Sequence, residues 1–391
     1  TMPPPPRRAR RARSHLGGPT DTEGAPEHTR ALAHALAVES APAPAPGGPR
    51  RSRDDARGGD ATGRGDDADR AHVHGFHAYP ARMHPETAAR FVDAFCPPGG
   101  AVLDPFCGSG TVLVEAMLAG RNAIGTDLNP LAVELARAKV RPRSAAMLDA
   151  IGNAARRIAS VAEARRKAKA GATRRYPESD VALFDPHVLL ELDGLRAGLE
   201  ADEDAVVKGD LALVLSSILV KVSRRRGDTG GALEERRIAA GYPSRLFVKK
   251  ADELVSRLRE FAARLPAPAP RMAVRLDDAT RLETVAAGSV DAVVTSPPYV
   301  ATYDYLAHHD VRLRWLGLDA TRFAEGELGA RRRFAGGAPG AARGEWRREL
   351  SAFFAAASRV LRPGGALVVL MADSAVGHEA LRADELVLEA I

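Results

Sequence analysis

The chain has 391 residues, more than the roughly 100–200 of one ordinary domain, with 45% hydrophobic and 27% charged residues. Its 36 glycines show no three-residue period, which excludes a collagen-like chain, and no apolar run reaches the roughly 18 residues of a transmembrane helix. A net charge of +6 hints at a polyanionic partner, although coding bias toward Ala, Arg, Gly and Pro gives the same surplus.

Residues 1–70 carry a proline run at Pro3 to Pro6, an arginine cluster from Arg7 to Arg13 and an Ala-Pro stretch near Ala41 to Pro46. This composition buries too little apolar surface to offset its ordering entropy, so a disordered tail is expected over 1–70. Its 12 Arg are nearly balanced by 10 Asp plus Glu, leaving only the first dozen residues as a basic arm. Charges and prolines stand where a signal peptide would have its apolar core, and a cytoplasmic location is expected. Cys96 and Cys107 can form at most one disulfide and no structural zinc site alone, in keeping with a reduced compartment.

From about residue 85 the pattern becomes α/β. The spacing of Ala89, Phe91, Val92 and Phe95 predicts a helix, Pro97 to Gly100 end it, and Ala101 to Leu103 read as a short buried strand. The loop Asp104-Pro-Phe-Cys-Gly-Ser-Gly110 leads into an apolar helix over Thr111 to Ala119. A strand at Ala123 to Thr126, Asp127 and a helix from Pro130 to Val140 follow. Strand, Gly-rich loop, helix, strand and acid together predict the opening of a doubly wound nucleotide-binding sheet over 71–142. Residues 143–268 read as a mainly helical insert, with stretches near Met147 to Ala170, Pro186 to Leu199, Leu211 to Val222 and Ala251 to Leu265. Sheet logic returns over 269–391, with strands at Met272 to Leu276, Val290 to Val294 and Ala366 to Met371 and a helix over Glu349 to Leu361. After Met371 only one more helix is expected, so the antiparallel hairpin that closes such sheets reads as missing, through truncation or a partner on that edge.

A Gly-rich loop between strand and helix lets backbone N–H groups approach a ligand, and Asp127 at the next strand end can bind ribose hydroxyls. The loop is not G-x-G-x-x-G. An acid beside the ligand's middle suits the cationic groups of S-adenosylmethionine and opposes a pyrophosphate, so a methyl donor is favoured over NAD. The second constellation is Thr295-Ser296-Pro297-Pro298-Tyr299 after an apolar strand. Two prolines remove two N–H donors at the strand end, leaving carbonyl oxygens, the Ser296 hydroxyl and the Tyr299 ring to receive a planar base with an exocyclic amine. Ser296, Pro297, Pro298 and Tyr299 are therefore the catalytic candidates.

These residues, with His74-Gly-Phe-His-Ala-Tyr-Pro-Ala-Arg-Met-His-Pro85 and Asp277-Asp278-Ala279, resemble the S-adenosylmethionine-dependent DNA amino-methyltransferases that act on cytosine N4 or adenine N6. The resemblance spans about 72–142 and 270–375 and implies a Rossmann-like class I methyltransferase sheet. It implies that Phe106, Gly108, Gly110 and Thr111 contact the methionine portion of the cofactor, with Asp104 in the same loop. Asp127 would meet the ribose, and Asp278, or its neighbour Asp277, the adenine amino group. Phe76, Tyr79 and Pro80 would line the methionine end. In that family Ser before Pro-Pro-Tyr is typical of cytosine N4 enzymes and Asp or Asn of adenine N6 enzymes, so Ser296 points to cytosine N4. The resemblance further implies DNA as partner and a place in restriction and modification. The competing expectations are adenine N6 in DNA, a tRNA-type RNA base amino-methyltransferase, and a non-catalytic DNA-binding relic of the fold.

For nucleic-acid contact the candidates are Lys221, Arg224 and Arg225 in the insert and Arg331, Arg332 and Arg333 in the loop after the substrate strand. His308, His309 and Asp310 fall on a helix where adjacent histidines diverge, so no metal site is expected there.

Overall fold

A computed structural model describes residues 23–38, 71–225, 227, 233–234, 236–300, 302–334, 339–376 and 379–391. Five parallel strands form the central sheet: β1 (Ala101–Asp104), β2 (Asn122–Asp127), β3 (Met272–Leu276), β4 (Val290–Thr295) and β5 (Leu361–Val369). Their order is β3-β2-β1-β4-β5, so the chain runs outward from β1 in one direction and then returns to build the other side. The reversal lies between β1 and β4, and the crevice beyond the C-terminal ends of these strands is where such sheets bind ligands.

Both sheet faces are covered, as the near-continuous apolar runs of the strands require. On one face Val102, Ala292 and Val294 pack in a cluster with residues of α2 (Pro85–Phe95), α3 (Thr111–Leu118) and α4 (Pro130–Val140). On the other, Leu103 and Val293 meet Ala356 and Val360 of the long helix over Pro339–Val360. Helix starts follow from local chemistry. Proline stands early in α2 and α4, where its missing N–H leaves no bond unmade. The Asn129 side chain caps α4 by accepting from the Leu131 amide at 3.0 Å.

Among its described residues the insert forms five α-helices, α5 (Ala145–Lys167), α6 (Glu178–Leu183), α7 (Pro186–Glu200), α8 (Ala205–Leu219) and α9 (Tyr242–Arg264). Two of these start earlier than periodicity predicts. The Asp204 side chain accepts from the amides of Val206 and Val207 at 2.9 and 3.1 Å, which begins α8 at Ala205. Gly241, at φ +77, begins α9 at Tyr242. The insert shares its core with the cofactor half, since Leu211, Val214 and Ile218 belong to the same buried cluster as Leu131 and Leu135. Arg143 ties the two together by donating to both oxygens of Asp210 on α8, at 2.8 and 2.5 Å, and to the Ala138 carbonyl of α4 at 2.7 Å.

Two expectations are corrected at the chain's ends. Within the segment expected to be disordered, residues Pro26–Leu36 form helix α1, which packs on α2, buries Ala35 and is held by Arg90 donating to the carbonyls of His34 and Ala37. The rest of that expectation, over 1–22 and 39–70, lies outside the described residues. A hairpin does follow the last sheet strand: β6 (Ser374–Val376) pairs antiparallel with β7 (Glu379–Leu381), as a sheet of its own and not as an extension of the central one. Strand β5 ends at Val369 and not at Met371, and it begins at Leu361, so the Arg362-Pro-Gly-Gly365 turn forms a bulge against β4. No helix among the described residues is long and apolar enough to cross a membrane.

Candidate active site

The strand ends converge on one cleft, walled by the loop after β1, by Leu128 and Asn129 after β2, by Asp278 after β3 and by Ser296 and Pro298 after β4. Each strand thus delivers its following residues to the same edge, because all five run parallel.

The Gly-rich loop is held by backbone bonds. The Cys107 amide donates to the Thr126 carbonyl at 3.0 Å and the Gly110 amide to the Cys107 carbonyl at 2.7 Å. Gly108 adopts φ +48, and a Cβ there would stand 3.1 Å from the Tyr79 ring. Gly110, at φ +85, caps α3, and a Cβ there would press on Ala136 of α4 at 3.1 Å. Glycine is needed at Gly108 to bring backbone beside an aromatic wall and at Gly110 to bring two helices together.

The acids follow a common pattern. Asp127 accepts from the Gly108 amide at 2.9 Å with one oxygen and from the Asn129 amide at 2.8 Å with the other. Burial pushes its carboxyl up to about 6, against those two amides, and the nearby Glu327 adds to the rise. Asp104 accepts from the Phe106 amide at 3.1 Å and from the Thr295 hydroxyl at 2.6 Å, and burial pushes it up to about 7. The Thr295 bond joins the cofactor loop to the Ser296-Pro-Pro-Tyr299 strand across the reversal point. Of the paired acids after β3, Asp277 is buried and engaged by the amides of Asp278, Glu283 and Thr284 and by the Thr284 hydroxyl. Asp278 is the one that reaches the cleft.

Tyr79, Asp104, Phe106, Gly108, Thr111, Asp127, Asp278, Ser296 and Pro298 all line this cleft. Phe76, Pro80, Gly110, Pro297 and Tyr299 do not. Phe76, expected at the methionine end, is 2% exposed in the apolar core, because the short turn His72–Gly75 directs it inward. Tyr299 lies beside the cleft, its carbonyl accepting from the Thr302 amide. Sequence reading missed Arg82, Asn129, Tyr305, Phe323 and Glu327 in the wall. Glu327 is 3% exposed, accepts from the Tyr305 amide at 2.7 Å and pairs with Arg332. Burial raises its carboxyl above the ordinary range.

The arginines expected to meet nucleic acid are mostly engaged within the protein. Arg224 pairs with Asp185 at 2.6 Å and Arg225 with Asp310 at 3.1 Å. Arg332 pairs with Asp304 and Glu327, and Arg333 with Glu345 and Glu349. Lys221 is half-buried, and burial together with Lys250 lowers its ammonium to about 8. Arg331 has an exposed side chain. The His308 and His309 rings meet edge to face, 4.9 Å between centroids, and His309 stacks on Tyr79 at 5.0 Å.

This cleft can now be set beside known proteins. Residues 55–138, which carry α2, β1, the Gly-rich loop and Asp127, match the family model described as DNA methylase, of the N6 and N4 type. Over this segment the chain is similar to the N6/N4 DNA methylases. It is 42% identical over 73 residues to the type II methyltransferase M.MvaI of Kocuria varians, covering 18% of this chain and 16% of that protein. It is 39% identical over 70 residues to M.MjaII of Methanocaldococcus jannaschii, covering 18% and 13%. A longer alignment, 23% identical over 290 residues, links it to M.BsoBI of Geobacillus stearothermophilus and covers 65% of this chain and 54% of that protein. The matches thus span about one seventh of the first two relatives and about half of the third. Among solved structures, the rRNA methyltransferase aviRa of Streptomyces viridochromogenes aligns at 17% identity and a TM-score of 0.26 over 75% of this chain and 77% of that one, too loosely to bear on function.

Proposed function

We propose that the protein transfers a methyl group from S-adenosylmethionine to an exocyclic amine of a base in DNA, with cytosine N4 as the acceptor. The observation that carries this reading is that a single cleft is lined both by the Asp104 loop and by Ser296 and Pro298, with the Thr295 hydroxyl bonded to Asp104. The acids suit a cationic cofactor: Asp104, Asp127 and Asp278 face the cleft, beside Glu327 that Arg332 pairs, against one arginine, Arg82, among the described lining residues. A pyrophosphate would meet repulsion here.

When bound, S-adenosylmethionine supplies an electrophilic methyl group on a sulfonium. Tyr79, Phe106, Gly108 and Thr111 would hold its methionine portion, Asp127 the ribose and Asp278 the adenine amino group. Each Asp127 oxygen, having taken one amide, retains lone-pair capacity for a hydroxyl. On the acceptor side Pro297 and Pro298 bring carbonyl oxygens and no N–H. With the Ser296 hydroxyl these can accept from the amine and turn its lone pair out of ring conjugation. Tyr299 would stack on a base taken out of the duplex. Orientation and a preorganised, water-poor site supply most of the rate. The amine's proton can leave after transfer, so no general base is assigned. Support for cytosine over adenine is Ser296, the residue typical of N4 enzymes in the family resembled.

The test is incubation with methyl-labelled S-adenosylmethionine and either unmethylated genomic DNA or total RNA, followed by nucleoside mass analysis. N4-methylcytosine in DNA is the expected product, lost in Ser296→Ala and Tyr299→Ala. N6-methyladenine would move the acceptor within DNA. Label in RNA alone, or DNA binding with no transfer, would overturn the reading.

A further inference from the structure

Away from the cleft, the turn His72–Gly75 brings two imidazoles beside Glu115 of α3. We propose that His72, His74 and Glu115 form a site for one divalent transition-metal ion, zinc by the chemistry of the donors. One ligand atom from each of the three lies within 4.8 Å of the others, and the His72 and His74 ring centroids are 4.8 Å apart. The His74 Nε2 already meets the Glu115 Oε1 at 2.6 Å.

The observation that separates this cluster from an ordinary buried His-Glu pair is His72. Its residue is 4% exposed, and its Nδ1 is buried with no hydrogen-bond partner among the described residues. A polar nitrogen left so is costly, and a metal bond would satisfy the ring. Two imidazoles and one carboxylate form a zinc-type donor set, whereas magnesium and calcium want oxygen donors. Zinc bonds of about 2.0–2.1 Å place tetrahedral donors roughly 3.3 Å apart. The His74–Glu115 contact must therefore open and the widest pair close, movements of about an ångström at side-chain ends. Glu115 is 12% exposed at its side chain, which gives the ion a way in and leaves a fourth position for water.

None of the three residues lines the cleft, so the ion would act as a staple and not as a reagent. The histidines begin the strap that carries Tyr79, Arg82 and Met83 into the cleft wall, and Glu115 lies on the helix that follows the Gly-rich loop. The strap is also tied to the insert, through Arg257 donating to the His72 carbonyl at 2.7 Å and Phe261 stacking on the His72 ring. A bound ion would fix the strap to α3 whether or not the protein transfers methyl groups.

The experiment takes the full chain stripped by a chelator, adds zinc alone, removes the excess and measures bound metal and melting temperature. One zinc per chain is expected, with melting raised by a few degrees at saturating zinc and no such rise with magnesium. Glu115→Gln keeps a side-chain partner for His74, so the stripped variant should melt like the stripped wild-type protein while binding zinc about 100-fold more weakly. His72→Ala should lose zinc in the same way. No retained zinc in the wild-type protein, or zinc uptake by Glu115→Gln and His72→Ala as strong as that of the wild-type protein, would overturn the proposal.

Discussion

Charged side chains are plentiful both at the strand tips and in the helical half, but they are neutralised in different ways. At the tips, Asp127 and Asp278 are held by backbone amides and hydroxyls, which orient a carboxylate without cancelling its charge. In the insert and the segment after β4, acids meet guanidinium groups: Arg143 with Asp210, Arg224 with Asp185, Arg314 with Asp180, Arg332 with Glu327. The first arrangement leaves charge available to a ligand, and the second spends it on holding helices together. A basic stretch in a sequence is thus weak evidence for a nucleic-acid surface until its acidic partners are known.

Breaking the helical half should show as stability. Arg143→Ala removes one partner of a pair in which both side chains are nearly fully buried, 1% and 3% exposed, and should destabilise the protein by about 3–5 kcal/mol in denaturant melts. Cofactor affinity of the remaining folded protein should be unchanged. Gly108→Ala acts on the other region. A Cβ at φ +48, pressed to 3.1 Å from the Tyr79 ring, should cost about 1–3 kcal/mol and reduce binding of S-adenosylmethionine measured by calorimetry.

Asp127→Asn keeps the shape of the cleft and removes its charge. It should weaken S-adenosylmethionine about 10–100-fold, roughly 1.4–2.7 kcal/mol, and cost about 1–3 kcal/mol of stability, because the Asn NH2 cannot accept from one of the two amides that the carboxylate holds. The smallest effect separates exposed from engaged arginines. Arg331→Ala should leave stability within about 0.5 kcal/mol and, should DNA touch it, lower the salt slope of binding by about 1. Arg224→Ala, which abandons Asp185, should lower melting instead.

What could be read in the sequence was what the backbone alone dictates. Parallel strands deliver whatever follows them to one edge, so Asp104, Asp127, Asp278 and Ser296 could be placed together from motif order. Residues that reach the cleft through tertiary packing could not. Glu327 lies some thirty residues beyond the Pro-Pro-Tyr motif, with no local pattern to mark it, and enters the wall because it accepts from the start of the helix Tyr305–Leu316. Phe76 lies in a motif that otherwise faces the ligand, yet its own ring is core. Helix α1 was illegible because its hold on α2 rests on one small buried alanine and an arginine reaching two carbonyls, neither a hydrophobic signal. The engagement of Arg224 and Arg225 was illegible because an ion pair made across 39 or 85 residues leaves no trace in local composition.

The acid-lined cleft also sets a pH dependence. Asp104 and Asp127 have folded values of about 7 and about 6, above the ordinary carboxylate range. The stability they contribute is therefore fully present below about pH 4 and lost as pH rises through 6 to 7 in the unliganded protein. A bound cation favours the ionised forms and reverses this, so binding should release protons. The most direct measurement of the central claim is calorimetric titration of S-adenosylmethionine from pH 5 to 8 in buffers of different ionisation heat. Saturable binding that weakens as pH falls below about 6, with proton release that disappears in Asp127→Asn, is the predicted result. Absence of binding, or an affinity indifferent to pH and to Asp127, would contradict it.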